Sequence, residues 1–326
     1  MANDARIPTR VFIGLTLVLA VSVAWPGADR GAVSAQEEAV REMFVRVRDA
    51  ATQTPITDMR SDEFVASIND VECEIVSAEL VATRLQLALL LDDSGAMRNY
   101  HSHFLAGMPA FLEALPEGSD VSLITMADRP HILLDFTTDM ARVEATLEDY
   151  FPRPSSGAAV IDTIHRTADN LLKEDREDGP DEGQGIPEGE LFRPVIAMVG
   201  SDAGDVSQGN NETKVNNLFP KLRELGATVH WLILENNHTG LQHNMSQFFT
   251  EATGGWSGRV PAPSPLAAET ISLMGAIIAQ QWAPMANQYR VTFKVPPGAD
   301  PDAGVAAGVR RGGVAIKVSL DGRHIG

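Results

Sequence analysis

Acidic and hydroxyl side chains follow directly after two apolar segments of the sequence. Asp92 and Ser94 come after the apolar run over residues 85–91, and Asp202 comes after the run over residues 195–199. If both runs are neighbouring strands of a parallel sheet, their carboxyl ends meet at the same edge. Ligands of open parallel sheets bind at that edge. The spacing therefore predicts a binding site built from these side chains.

Motifs that would indicate catalysis are missing from the sequence. It contains no Gly-x-Ser-x-Gly, no His-Glu-x-x-His and no phosphate-binding loop. Asp202 and Asp205 could form a pair of carboxylates for acid–base chemistry, but acidic residues are common in loops at strand ends. We therefore expect binding, and we do not expect the protein to be an enzyme.

The elements that must position this site alternate along the chain between strands and helices. Continuous apolar runs typical of strands buried on both faces cover residues 85–91, 195–199 and 228–234. Phe104, Met108 and other apolar residues between these runs recur at helical spacing. This alternation predicts an α/β fold with a doubly wound, mainly parallel sheet.

The three loops at the predicted strand ends resemble those of a known family. Residues 89–97 read Leu-Leu-Leu-Asp-Asp-Ser-Gly-Ala-Met, which is similar to the Asp-x-Ser-Gly-Ser-Met loop of von Willebrand factor A domains. Residues 156–162 resemble the second loop of that family, and residues 199–205 resemble the third. The order and spacing of the loops agree, so the resemblance implies such a domain over residues 83–283.

In that family the three loops form a metal-ion-dependent adhesion site, and the resemblance implies a degenerate form of it here. Asp92, Ser94 and Asp202 stand at three of the five ligand positions, whereas Ala96 and Ala158 replace two hydroxyl residues. A methyl group cannot coordinate a cation, and Mg²⁺ requires near-octahedral oxygen ligands. We therefore expect no cofactor. The alternative is that Asp92, Ser94 and Asp202 bind Mg²⁺ or Mn²⁺.

A protein partner is the expected ligand, because in this family a partner carboxylate completes the coordination of the metal. Candidate contacts here are Asp93, Ser155, Ser156 and Asp205 in the same loops. The degenerate ligand set favours partner binding without a metal, and Asp92 and Ser94 would then hold the loop through hydrogen bonds. Two alternatives stay open: a structural component of an envelope complex with a vestigial site, and a hydrolase that uses the acidic loops.

Strand periodicity also marks the segments on either side of the domain. Residues 36–82 contain short alternating segments, such as Phe64, Ala66 and Ile68. Residues 284–326 contain two more, which predict a β-hairpin that packs with the first segment into a small antiparallel β unit. These flanks resemble a group of bacterial secreted proteins that carry a β unit ahead of the A domain.

The first 35 residues have the pattern of a secretory signal peptide. Arg6 and Arg10 precede an apolar run over residues 11–25, and Ala35 closes a cleavage site of small residues. We expect cleavage after Ala35 and a secreted or periplasmic protein, with an uncleaved membrane anchor as the alternative. The net charge of −18 argues against binding to nucleic acid, and it limits membrane contact to this segment.

Overall fold

The computed structural model describes residues 39–171, 191–209, 211–236, 240–261, 264–300, 303–312 and 316–320. The predicted signal peptide lies outside these ranges. The strands are β1 (Val40–Asp49), β2 (Phe64–Ile68), β3 (Val71–Leu91), β4 (Asp120–Thr125), β5 (His131–Thr137), β6 (Leu191–Ser201), β7 (Thr228–Leu234), β8 (Ser257–Val260), β9 (Asn287–Lys294), β10 (Val305–Val309) and β11 (Ile316–Leu320). The helices are α1 (His101–Glu113), α2 (Met140–Glu148), α3 (Val160–Leu171), α4 (Asn211–Glu224), α5 (Leu241–Thr253) and α6 (Leu266–Trp282). No helix of the described ranges is long and apolar enough to cross a membrane.

The described part of the chain has two regions, and the larger one contains the second half of β3, strands β4–β8 and helices α1–α6. A mainly parallel sheet forms its centre. In this sheet β3 pairs in parallel with β4 and β6, β6 with β7, and β7 with β8, while β5 adds an antiparallel edge. Apolar side chains of α1, α2 and α6 cover one face, and those of α3, α4 and α5 cover the other. The predicted α/β fold with a doubly wound, mainly parallel sheet is confirmed.

A second core lies between the strands at the other end of β3. There β1 pairs with β9 and β11, β9 also pairs with the first half of β3, and β2 pairs with β3 and β10. We call this region the β unit. Its core contains Met43, Val45, Phe64, Tyr289 and Phe293, all less than 7% exposed.

The predicted carboxyl-terminal hairpin is wrong. The two strands of residues 284–326 that were expected to pair, β9 and β11, lie on opposite sides of β1 and bond to it instead. The alternation of apolar residues identifies both segments as strands, but it does not say which strand lies between them.

The pattern of apolar residues changes near residue 83, where we expected the boundary between the β unit and the domain. This change does not mark the start of a strand, because β3 runs without a break over Val71–Leu91. Between residues 71 and 82 only Cys73 and Val81 are buried, whereas residues 85–91 are all buried. The pattern changes because the strand leaves the β unit and enters a sheet that is covered on both faces.

A histidine side chain lies inside the core of the larger region. His230 of β7 is 1% exposed, and its Nδ1 atom has no hydrogen-bond partner in the described part of the chain. Burial lowers the pKa of His230 to about 4. The imidazole is therefore neutral at pH 7.

Candidate partner-binding site

Four loops meet at the edge of the sheet where β3, β4 and β6 end. They cover residues 92–97, 126–130, 150–159 and 202–209. We call this part of the molecule the loop face. Backbone hydrogen bonds join the loops: Gly95 donates to the carbonyl of Ser156, and Val206 donates to the carbonyl of Ala158. The predicted site residues therefore lie in a single connected region.

Asp92 joins the end of β3 to the end of β6. Its side chain is buried, and Oδ1 accepts the backbone N–H of Ser94 at 2.9 Å. Oδ2 accepts both the backbone N–H of Ser201 at 2.9 Å and its hydroxyl at 2.7 Å. The hydroxyl of Tyr150 donates to the Asp92 carbonyl at 2.5 Å. Both carboxylate oxygens are thus occupied by donors from the protein itself.

Asp93 joins the same loop to β4 and to the loop before α3. Oδ1 accepts the backbone N–H groups of Met126 at 3.1 Å and Ala127 at 2.6 Å. Oδ2 lies 2.7 Å from Nε of Arg153, whose backbone N–H donates to the Asp93 carbonyl at 2.7 Å. Burial raises the pKa of Asp93, and the hydrogen bond from Ala127 and the charge of Arg153 oppose this rise. The buried carboxylate links three loops without facing solvent.

Asp202 ties β6 to the end of β7. It is 7% exposed, and Oδ1 accepts the backbone N–H of Asn236 at 2.6 Å. Beside it, the hydroxyl of Tyr100 donates to the carbonyl of Glu235 at 2.5 Å. Burial and then the nearby Asp202 carboxylate raise the pKa of Tyr100 to about 12. The phenol therefore stays protonated and keeps its role as donor.

The remaining family ligand positions carry one hydroxyl and two methyl groups. Ser94 is 1% exposed, and its Oγ atom has no hydrogen-bond partner among the described residues. Ala96 is partly buried, whereas Ala158 is 3% exposed, forms a β-bridge with Ala127 and packs into the core beside α3. In the described ranges, no group of three or more histidine, cysteine, aspartate or glutamate side chains could hold a metal ion.

The other predicted contacts lie nearer the surface. Oδ1 of Asp205 accepts the backbone N–H of Val160 at 2.8 Å, so Asp205 caps the first turn of α3. Ser156 donates its hydroxyl to the carbonyl of Arg153 at 2.8 Å. Ser155 is exposed, with a φ of +64°. Of the four predicted contacts, Ser155 is exposed, Ser156 and Asp205 are partly buried, and Asp93 is buried.

Two residues of the loop face were missed by the sequence analysis. Phe151 is 68% exposed, and its ring centre lies 4.5 Å from that of His101. The Arg153 side chain is 47% exposed. Both belong to the run Phe-Pro-Arg-Pro over residues 151–154. The two prolines that flank an arginine were the available signal, since proline fixes φ and stiffens a loop.

Comparison with known proteins agrees with the predicted family. The model of the von Willebrand factor type A domain matches residues 87–185. No curated protein sequence matches the chain.

Solved structures with a similar chain trace include three from bacteria. The conserved hypothetical protein BatB from Bacteroides thetaiotaomicron is 18% identical, with 60% of this chain and 99% of that chain covered and a TM-score of 0.41. A von Willebrand factor type A protein from Catenulispora acidiphila is 10% identical, with coverages of 87% and 73% and a TM-score of 0.46. An aerotolerance-related membrane protein from Bacteroides fragilis is 18% identical, with coverages of 59% and 98% and a TM-score of 0.40.

Proposed function

Because the chain has a von Willebrand factor type A domain, a class that typically mediates protein–protein interactions, we propose that it binds a protein partner at the loop face. The observation that carries this proposal is the internal bonding of Asp92 and Asp93. Their carboxylates hold the loops in one arrangement through donors of the protein itself. A surface ordered during folding loses little further entropy when a partner binds.

We infer that this binding does not require a metal. Asp92 already accepts three hydrogen bonds, and the methyl groups of Ala96 and Ala158 stand where the family has hydroxyl ligands. The unpartnered Oγ of Ser94 could offer an oxygen to a cation. However, the Asp92 oxygens already accept hydrogen bonds from the protein, so water would have to supply most of an octahedral shell. The residues present therefore do not fit Mg²⁺ or Mn²⁺.

We propose two roles for the rest of the chain: export of the protein and formation of the β unit. A signal peptide over residues 1–35 would send the protein to the periplasm or the outside of the cell. Segments 36–82 and 284–326 would together form the β unit, a proposal supported by the apolar core that their strands share. The proposed domain boundary at residue 83 separates the two cores but lies within a single strand, because β3 continues across it.

Site-specific photo-crosslinking in the cells of origin tests the proposed partner site. A photoreactive amino acid would replace Ser155 or Val206 on the loop face, Glu117 at the opposite end of the sheet, or Lys317 in the β unit. All four positions are exposed. We expect Ser155 and Val206 to yield an adduct with the same protein, and Glu117 to yield none. Adducts from Lys317 alone would contradict this and favour the structural alternative.

Thermal unfolding tests the inference that no metal is required. A cation that binds only the folded protein raises the melting temperature in a concentration-dependent way. We expect the same melting temperature in EDTA and in millimolar Mg²⁺ or Mn²⁺. A rise that disappears in Asp92→Ala would contradict the inference, because it would show a working metal site at the loop face.

A further inference from the structure

Arg153 is held in a fixed position while part of its guanidinium group stays available. Its backbone N–H and its Nε both contact Asp93, each at 2.7 Å. Nη2 lies 3.5 Å from Oγ1 of Thr125, and Nη1 makes no hydrogen bond to any described residue. Since the side chain is 47% exposed, the Nη edge can meet a ligand from solvent. Asp93 thus orients a cation rather than hiding it.

Phe151 places an aromatic surface beside this cation. At 68% it is the most exposed of the large apolar side chains in the described ranges. Its contact with His101 supports one side of the ring, and the Nε2 atom of His101 lies 2.8 Å from the carbonyl of Tyr150. An exposed aromatic ring that is supported from within is a typical energetic anchor of a protein interface.

The backbone between these two side chains has little freedom. Pro152 and Pro154 fix φ on either side of Arg153. After them Ser155 adopts a φ of +64°, which is unfavourable for a residue with a side chain. Such strain persists only where the surrounding contacts hold it, and it concentrates at functional sites. The loop therefore holds Phe151 and Arg153 in place before a partner binds, so binding should cost little further conformational entropy.

We propose that Phe151 and Arg153 recognise a partner segment that presents a carboxylate beside an apolar side chain. This inference rests on the proposed function and names the chemistry of its partner. The planar guanidinium edge binds carboxylates by paired hydrogen bonds, and the Phe151 ring receives the apolar neighbour. A phosphorylated segment fits less well, since phosphate-binding sites usually combine several arginines, whereas in the described ranges Arg153 is the one arginine of the four loops that pairs with a carboxylate of the loop face.

Two immobilised synthetic peptide libraries test this chemistry. One has a central glutamate between randomised apolar residues, and the other has glutamine at the same place. We measure capture of the full chain by each library and take the ratio. We expect wild type to prefer the glutamate library by about tenfold. Arg153→Gln should bring the ratio close to one, and Phe151→Ala should lower capture by both libraries while leaving the preference.

Arg166→Gln is the matched control, because it removes an exposed arginine from α3, outside the loop face. It should keep the preference of wild type. A loop that is merely loosened by Arg153→Gln would lower capture by both libraries, so the ratio separates recognition from damage. A wild-type ratio near one, or an unchanged ratio in Arg153→Gln, overturns the inference. If only this inference is wrong, photo-crosslinking from Ser155 should still yield an adduct. If photo-crosslinking from Ser155 yields no adduct, the proposed function itself is wrong.

Discussion

The loop face and the β unit use charged residues in opposite ways. At the loop face, Asp92 and Asp93 are at most 2% exposed. Their carboxylates accept backbone N–H groups from Ser94 in the same loop and from Ala127 and Ser201 in other segments. In the β unit, Arg311 pairs at 2.6 Å with Glu63, which is 9% exposed, and at 2.8 Å with the exposed Asp58 at the rim of an apolar core. Buried carboxylates hold the loops of the loop face together. The β unit is held together by apolar packing, and its ion pairs add contacts beside that core.

This difference predicts how each region responds to the loss of a charge. Removing a buried acceptor leaves several donors without partners in a place that water cannot reach. Removing a charge at a rim exposes its partner to water, which replaces most of the interaction. Substitutions at the loop face should therefore cost much more stability than substitutions at the edge of the β unit.

Asp92→Ala should have the largest effect. It leaves the N–H groups of Ser94 and Ser201 and the Ser201 hydroxyl without their acceptor, so we expect a loss of about 3–5 kcal/mol in the free energy of unfolding. Urea denaturation measures it. Ser94→Ala is the control: it removes a hydroxyl that has no hydrogen-bond partner among the residues that the structure describes, and it should change stability by no more than about 0.5 kcal/mol. Equal losses in the two variants would contradict this account.

His230 is a buried histidine whose Nδ1 atom has no hydrogen-bond partner within the described ranges. Its pKa is about 4 in the folded protein and near 6.5 when unfolded. As pH falls through this interval, the unfolded state binds the proton first, so stability falls by about 3 kcal/mol. His230→Leu should remove that part of the slope in urea midpoints measured between pH 7 and pH 4. Replacement of the exposed His131 by glutamine should leave the slope intact, and a slope unchanged by His230→Leu would refute the prediction.

The Asp93–Arg153 pair should show a smaller coupling, because one partner is buried and the other is half exposed. A double-mutant cycle of Asp93→Asn and Arg153→Gln should give a coupling of about 1 kcal/mol. The single change at Asp93 should be the more costly of the two, since it also weakens the bonds from Met126 and Ala127. A larger loss from Arg153→Gln would contradict the assignment of Asp93 as the residue that organises the loops.

Glu63→Gln should have the smallest effect, because glutamine keeps an oxygen that can accept hydrogen bonds from Arg60 or Arg311. This effect should depend on pH. The hydrogen bond from Arg311 lowers the pKa of Glu63 from 4.5 to about 2. Its contribution to stability is therefore present above pH 4.5 and is lost as pH falls toward 2. Urea midpoints of wild type and variant should differ at pH 6 and converge near pH 2. A gap that stays constant across this range would show that the carboxylate charge is not what Arg311 binds.

Sequence predicted the parallel sheet and the loops at its edge because apolar runs and their polar ends are local features. It could not predict the partners of Asp92 and Asp93. Ser201 is 109 residues from Asp92, and Arg153 acts on Asp93 through a contact that no local pattern encodes. For the same reason the strands of the carboxyl-terminal segment were recognised but assigned the wrong neighbour. Spacing identifies elements, whereas long-range pairing decides what each side chain touches.

The uninterrupted course of β3 limits how the gene can change. Its 21 residues serve the β unit at one end and the loop face at the other. Inserting one residue near its middle would shift every later side chain to the opposite face of the sheet, so Asp92 would lose its alignment with Ser201. Deletions and insertions should therefore be absent from this strand in related genes, and the two regions should be inherited together rather than exchanged as separate modules.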